Sequence, residues 1–208
     1  LSITYLDEDS NLSSVTDRIC RERKPLGIIF LGGSREDFSE DTSSFKVPCV
    51  IVTTSAENWS MEELSSVSID DEKAGETIVD YLIEHGHTKI AEIGANLELS
   101  QTARLRHNGY LNSLKKHEIT PDERYYERAR FSYDSAYRAM KKLLEKDIEI
   151  TAVYAISDVM AIGALRAILD KGLRVPEDIS ITGFDGSTLA EYYNPCLLYT
   201  SPSPRDRS

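Results

Sequence analysis

Short apolar runs alternate with amphipathic stretches along most of the chain, and this alternation restricts the fold to a narrow class. The run TAVYAI at 151–156 is apolar almost throughout, and the stretch at 159–171 repeats apolar residues at helical spacing. Apolar runs of this length are typical of strands buried on both faces, as in parallel sheets. A repeated strand–helix order predicts parallel sheets covered by helices and joined by right-handed crossovers.

The pattern also places the individual elements. Residues 55–68 are predicted to be an irregular connection, and the break between two lobes is predicted near residues 68–69. Asp70-Asp71 is expected to cap the helix that follows, because short acidic side chains accept hydrogen bonds from the first turn. Predicted strands cover 3–6, 27–31, 47–53, 89–94, 125–131, 151–156 and 179–184; further predicted helices begin near Leu12 and cover 100–117, 134–146 and 159–171.

The charge of the chain limits its partners. The 208 residues include 24 Lys and Arg against 35 Asp and Glu, so the net charge is −11. Binding a DNA backbone requires clustered basic side chains, so we do not expect this chain to hold DNA by itself. It contains no apolar stretch of about 18 residues, the length a membrane-spanning helix needs.

The cysteines and the two ends of the chain carry weaker information. Cys20, Cys49 and Cys196 form an odd, widely spaced set, which favours reduced thiols over a disulfide framework or a zinc site. The chain begins at Leu1 without a visible signal peptide. Residues 201–208 have no hydrophobic period, and we expect this tail to be disordered and foreign to the domain.

Two long segments resemble the LacI/GalR family of bacterial transcription regulators. They read DDEKAGETIVDYLIEHGHTKIAEIG at 70–94 and TAVYAISDVMAIGALRAILDKGLRVPEDISITGFD at 151–185. The stretch SQTARLRHNGYLNSL at 100–114 resembles the family helix that carries the effector-binding arginine. The resemblance extends over about residues 1–197 and implies an α/β fold of the periplasmic-binding-protein-like type I, with two doubly wound parallel-sheet lobes.

The resemblance also implies a domain arrangement. Residues 1–69 correspond to the N-terminal lobe, which is expected to be incomplete, and residues 70–193 to the C-terminal lobe. Residues 194–208 correspond to the start of a crossover followed by the foreign tail. In the family, a helix-turn-helix headpiece precedes the core, and the effector binds between the two lobes.

The strongest candidate ligand residues follow from this resemblance. Arg106 matches the effector arginine, although a solvated helix arginine is the alternative. Asp185 matches an aspartate that binds effector hydroxyls or a base nitrogen, although an Asx turn or helix cap remains open. Ser157 stands where the family usually has asparagine, and Asp158 could serve only as a helix cap. Phe131 matches an aromatic position that stacks on the effector, with a core phenylalanine as the alternative.

The remaining candidates follow from position in the predicted elements. Gln101 and Thr102 lie at a helix N-terminus, where they could donate hydrogen bonds to a ligand. Leu31 and Thr53 lie at predicted strand ends of the first lobe. No nucleophile elbow, phosphate-binding loop or dinucleotide motif is present, so the sequence predicts neither an enzyme nor a cofactor or metal site.

The resemblance therefore implies a ligand-sensing domain of a cytoplasmic transcription regulator. Its expected partners are a small effector, a second copy in a homodimer and, through a headpiece, operator DNA, with no membrane partner. A sugar is favoured because Arg, Asp and an aromatic face suit paired hydroxyls and a sugar ring, and a purine stays open. The alternative function is a solute-binding protein of a sugar ABC transporter.

Overall fold

The computed structural model describes residues 1–6, 12–33, 47–56 and 64–188. The chain divides into two compact units, Leu1–Ile69 and Asp70–Ser208. The proposed tail at 201–208, Cys196 and the predicted crossover start at 194 lie outside the described residues.

The described part of the first unit is a small parallel sheet with one helix. Helix α1 (Leu12–Arg23) precedes strands β1 (Ile28–Leu31), β2 (Cys49–Val52) and β3 (Leu64–Val67), which pair in the order β1-β2-β3. All pairs are parallel. One face of this sheet contributes to a core formed by Leu12, Phe30, Cys49 and Ile51.

Three predictions for the first unit are wrong. Residues 3–6 form no strand, because no described strand pairs with them, and Tyr5 is 91% exposed. The connection predicted at 55–68 contains β3, whose sequence LSSV lacks an apolar run but whose backbone pairs with β2. The short apolar run at 27–31 predicts a strand buried on both faces, as in parallel sheets, yet Ile29 and Leu31 are exposed within the described part of the chain.

The second unit is a doubly wound α/β unit, as predicted. Strands β4 (Ile90–Gly94), β5 (Tyr126–Arg128), β6 (Ala152–Ala155) and β7 (Ser180–Thr182) form a parallel sheet in the order β5-β4-β6-β7. Helices α2 (Asp71–Glu84), α3 (Gln101–Lys116), α4 (Tyr133–Glu145) and α5 (Asp158–Asp170) connect them, with a short 3-10 helix at Glu123–Tyr125. The predicted strands and helices of this unit are confirmed within one to three residues of their ends.

Side-chain caps explain where these helices begin. Asp70, Ser100, Ser132 and Ser157 each precede a helix and accept a hydrogen bond from a backbone N–H of the first turn. Helix α2 packs on α3 and α4 on α5, and both pairs contact the sheet. The core contains the large apolar side chains Ile78, Val79, Leu82, Ile90, Ile93, Met140, Leu143, Ile156, Met160, Leu165 and Ile168.

The parallel topology concentrates loops at one edge of this sheet. The chain leaves each strand at its carboxyl end and enters the next helix there, so the N-termini of α3, α4 and α5 share that edge. This is the edge at which open α/β sheets bind ligands. A ligand-binding site is therefore expected at the carboxyl edge of the sheet in the second unit.

Candidate functional site

Ser157 is the N-cap of α5 at the carboxyl end of β6. Its side chain accepts a hydrogen bond from the Met160 N–H at 3.3 Å, and the residue is buried. The cap satisfies one of the backbone donors that the first turn of a helix leaves unpaired. A serine at this position therefore has a local structural role in addition to the ligand role predicted for it.

Asp158 links the start of α5 to the loop that follows β7. The residue is 1% exposed; Oδ1 accepts from the Phe184 N–H at 3.0 Å and Oδ2 from the Ser187 N–H at 2.6 Å. Its own backbone N–H donates to Asp185 Oδ2 at 3.2 Å. The alternative that Asp158 serves only as a helix cap is wrong, because Ser157 occupies the N-cap position and Asp158 holds the neighbouring loop.

Gly183 allows this close approach. A Cβ atom on Gly183 would overlap with Asp158 Oδ1, and the Asp158 Cα would lie 3.2 Å away. Because the carboxylate occupies the space that a side chain would need, a residue without Cβ is required where β7 ends.

Arg106 lies in the first half of α3 and is buried at this edge. It is 8% exposed, so the alternative of a solvated helix arginine is wrong. Its Nε donates to Asp71 Oδ1 at 2.7 Å, and its Nη1 donates to the Ile156 carbonyl. The guanidinium carbon lies 3.4 Å from the centroid of the Phe184 ring, a cation–π arrangement that fixes the plane of the group.

Asp185 completes the group from the loop after β7. Its Oδ1 lies 3.6 Å from Arg106 Nη1, and its side chain is 45% exposed. Arg106 thus separates a buried carboxylate, Asp71, from a partly exposed one. The other guanidinium nitrogen, Nη2, donates to none of the described residues.

Burial and the charge of Arg106 shift the pKa of both carboxyl groups in opposite directions. Burial raises the pKa of Asp71, although the Arg106 charge and hydrogen bond act in the lowering direction. Burial likewise raises the pKa of Asp185 against the attraction of Arg106. Both residues face the same guanidinium, so this edge holds more negative than positive formal charge when they are ionised.

Asp71 is the functional candidate that sequence reasoning missed. The doublet Asp70-Asp71 was assigned to helix capping, and the structure confirms that role for Asp70 alone, which accepts from the Lys73 N–H at 2.9 Å. Asp71 is 3% exposed and pairs with Arg106 instead. The signal available in the sequence was the doublet itself, because one helix start has one N-cap position.

The other predicted residues divide between the two units. Phe131 follows β5 and is 48% exposed, so the alternative of a core phenylalanine is wrong. Gln101 and Thr102 are half-buried in the first turn of α3, at the same sheet edge as Arg106. Leu31 and Thr53 belong to the first unit, where Leu31 is exposed and Thr53 has a left-handed backbone with φ of 81°.

The second unit thus brings Arg106, Asp185, Ser157 and Asp158 together. Arg106 offers a planar donor and Asp185 a partly exposed acceptor, and Phe131 adds an exposed apolar ring in the loop between β5 and α4. In the described part of the chain, no group of three or more His, Cys, Asp or Glu side chains could hold a metal ion. The helices described are all too short or too polar to cross a membrane.

Comparison with known proteins identifies the fold family. A family profile described as a periplasmic binding protein-like domain matches residues 79–205, more than half of the chain. The HTH-type transcriptional regulator MalR of Clostridium butyricum is 36% identical over 179 residues, which is 85% of this chain and 53% of MalR. The HTH-type transcriptional repressor PurR of Vibrio atlanticus is 37% identical over 152 residues, or 72% of this chain and 45% of PurR.

Solved structures agree with these relatives. The complex of the transcriptional regulator CelR with cellobiose superposes with a TM-score of 0.78 at 30% identity, covering 90% of this chain and 57% of CelR. The chain spans about half the length of the curated relatives it matches. These relatives are named as regulators rather than enzymes. The chain therefore belongs to the periplasmic-binding-protein-like domain family, in the form found in LacI-family transcription regulators.

Proposed function

We propose that this chain is the ligand-sensing domain of a bacterial LacI-type transcription regulator, and that a sugar binds at the carboxyl edge of the second unit. The observation that carries the proposal is the Arg106 group. A guanidinium is held rigidly by Asp71, the Ile156 carbonyl and the Phe184 ring, while Asp185 remains partly exposed beside it. A rigid donor beside an exposed acceptor is an arrangement suited to recognising a small polar molecule.

The charge of the group favours an uncharged effector. Asp71 already pairs with Arg106, so a ligand meets a guanidinium that is largely neutralised and a second carboxylate, Asp185. A hydroxyl can donate to Asp185 and accept from Arg106, whereas an anionic group would be repelled by Asp185. Phe131 supplies an exposed aromatic face for the apolar side of a sugar ring. The cellobiose bound to CelR is consistent with this choice.

The regulatory part of the proposal concerns the longer protein. The names of MalR and PurR as HTH-type regulators favour transcription regulation over solute transport. Effector binding would bias one of two conformations of a homodimer, and a headpiece outside this chain would carry that bias to operator DNA in the cytoplasm. A ligand acts in this way only if it binds the two conformations with different affinities.

A thermal-shift screen tests the effector class. The full chain is heated with cellobiose, maltose, glucose and ribose, and in parallel with hypoxanthine and guanine. A ligand at 100 times its dissociation constant adds about 2.7 kcal/mol of stability, which raises the melting temperature by about 5–11 °C for a chain of this size. We expect such a rise with at least one sugar. A rise with the nucleobases alone would contradict the sugar assignment, and no rise with any compound would contradict the site.

Two matched variants test where on the chain the sugar binds. Asp185→Asn removes the exposed acceptor charge, and we expect it to reduce the sugar-induced shift by more than half. Glu145→Gln makes the same change of charge at the exposed last residue of α4, at the opposite end of the unit, and should leave the shift unchanged. Equal shifts for both variants and the unaltered chain would show that the sugar binds elsewhere.

A further inference from the structure

Glu92 is a fully buried acid in the middle of the sheet. It lies in β4, an interior strand, and its exposed fraction is 0%. The strand register places Tyr126 of β5 and Tyr154 of β6 directly beside it. Neighbours in register project from the same face of a sheet, so an acid lies between two tyrosines in one row. Acidic side chains are almost never buried in this way without a partner.

The partner of Glu92 is His107 on helix α3. Glu92 Oε2 lies 2.6 Å from His107 Nδ1, and the His107 side chain is 18% exposed. The His107 ring also meets the Tyr126 ring edge-on at 5.1 Å. The histidine therefore joins the central strand to α3, and it is the route by which this buried pair reaches solvent.

The second oxygen of Glu92 indicates which form of the acid is buried. Within the described part of the chain, Glu92 Oε1 has no hydrogen-bond partner. An ionised carboxylate would leave a charged oxygen unpaired in the core, at a cost much larger than that of a neutral carbonyl oxygen. The geometry therefore favours a protonated Glu92 that donates its hydrogen bond to His107 Nδ1.

Among the described residues packed around Glu92, His107 is the only basic side chain. Helix α3 contributes His107 and Tyr110, whose hydroxyl donates to the Ile90 carbonyl at 2.9 Å; the adjacent strands contribute Tyr126 and Tyr154. Burial raises the pKa of all three tyrosines, to about 12 for Tyr126. They are therefore neutral over the pH range in which proteins are usually studied.

Several charged groups farther from Glu92 pair with one another, and the charge of Arg128 on β5 acts on Tyr126. Arg106 lies next along α3 and pairs with Asp71, with Asp185 beyond it. On α2, Glu76 pairs with Lys73 and Lys116, and Asp80 with Lys116 and His117. Glu127 on β5 pairs with Lys146.

Glu92 and the two tyrosines beside it lie against the turn of α3 that carries Arg106. His107 is the residue after Arg106, and the Tyr154 hydroxyl, which has no hydrogen-bond partner among the described residues, lies next to Gly75 of α2. A Cβ atom on Gly75 would be 3.1 Å from that hydroxyl and 2.8 Å from the Arg106 carbonyl oxygen. Any movement of α3 away from Glu92 would thus also move Arg106.

We propose that Glu92 and His107 form a proton-linked latch that holds α3 on the sheet and acts as a pair of positioning residues for Arg106. With the proton on Glu92, no charged oxygen is left unpaired in the core and the latch is closed. Loss of that proton leaves a buried carboxylate with one unpaired oxygen, and α3 loosens. The effect on ligand affinity rests on the proposed function, whereas the effect on the stability of the chain does not.

The direction of the pH dependence follows from the raised pKa of Glu92, which burial causes and His107 partly opposes. An exposed glutamate releases its proton near pH 4.3, so the unfolded chain is deprotonated there while the folded chain is still protonated. The Glu92 proton therefore contributes stability that is fully present below about pH 4.3, and this contribution is lost as the pH rises through the raised pKa. One proton corresponds to at most about a tenfold rise in the unfolding equilibrium constant per pH unit.

Urea unfolding of the full chain from pH 5 to pH 9 tests the latch. Glu92→Gln replaces the protonated acid with a neutral side chain of the same shape, and Glu145→Gln is the exposed control. As the pH rises, we expect the unfolding equilibrium constants of the unaltered chain and of the control to increase relative to that of Glu92→Gln. Parallel pH profiles for all three proteins would overturn the latch.

A second measurement decides the matter if Glu92→Gln does not fold. The carboxyl carbon of Glu92 in the unaltered chain is titrated by NMR; a midpoint well above pH 4.3 supports the latch, and one at or below that value overturns it.

Ligand affinity tests the positioning of Arg106. For a sugar found by thermal shift, we expect affinity to fall at least threefold from pH 6 to pH 8 in the unaltered chain, relative to Glu92→Gln. Equal pH dependence in the two proteins would overturn the positioning role. Failure of every sugar to bind at any pH would contradict the proposed function, while the urea profiles would still decide the latch.

Discussion

Asp158→Asn is the substitution that most sharply separates a structural role from a binding role at the site. Asp158 is buried, and its two carboxylate oxygens each accept a backbone N–H, from Phe184 at 3.0 Å and from Ser187 at 2.6 Å. An asparagine keeps one acceptor oxygen but places an NH2 group against the second N–H. The two donors then face each other beside a side chain that is itself buried.

The size of the effect follows from these contacts. Loss of one hydrogen bond to a charged group costs about 1.5–3 kcal/mol, and a buried donor left unpaired costs about 1–3 kcal/mol more. We therefore expect the free energy of unfolding to fall by about 3–5 kcal/mol. For a chain of this size that corresponds to a decrease of about 6–20 °C in melting temperature.

Urea unfolding followed by circular dichroism measures this loss, with Asp134→Asn as the control. Asp134 is also an acid in the first turn of a helix, but its side chain is 75% exposed and pairs with Arg138 on the surface. Surface pairs contribute at most about 1 kcal/mol, so the control should unfold near the unaltered chain. An Asp158→Asn variant as stable as the control would refute the reasoning that Asp158 holds the loop.

Two further substitutions test the packing that positions the site. Gly109→Ala would put a Cβ atom 2.6 Å from the Glu76 backbone nitrogen and against the Glu72 carbonyl, so α2 and α3 must separate. Overpacking costs about 1–3 kcal/mol and alanine recovers about 1 kcal/mol of helix propensity, so we expect the free energy of unfolding, measured with urea, to fall. A gain in stability would show that the helices do not meet there. Ser157→Ala removes the cap of α5 and should cost about 1 kcal/mol in the same assay, whereas unchanged stability would contradict the cap.

The second unit could be predicted from the sequence because its signals were strong and local. The run at 151–156 is apolar and β6 is buried throughout, and a residue able to cap stands before each helix of this unit. The first unit was harder to predict. Strand β3 has the sequence LSSV and exists because β2 pairs with it, while residues 3–6 have a strand-like sequence without a described partner.

The site could be predicted only in part, because its geometry depends on contacts between distant segments. The family resemblance pointed to Arg106 and Asp185, which the structure places 3.6 Å apart between Nη1 and Oδ1. Asp71 was missed because it lies 35 residues from Arg106 and looked like a cap. The Asp158 contact with the loop after β7 spans 26 residues, and no local pattern indicates it.

Binding of a sugar at the Arg106 group is tested most directly by a crystal structure of the chain with a sugar selected by thermal shift. We expect sugar hydroxyls within hydrogen-bond distance, about 2.6–3.2 Å, of both the Arg106 guanidinium and the Asp185 carboxylate. A sugar bound away from this edge of the second unit, with Arg106 and Asp185 contacting only protein, would contradict it.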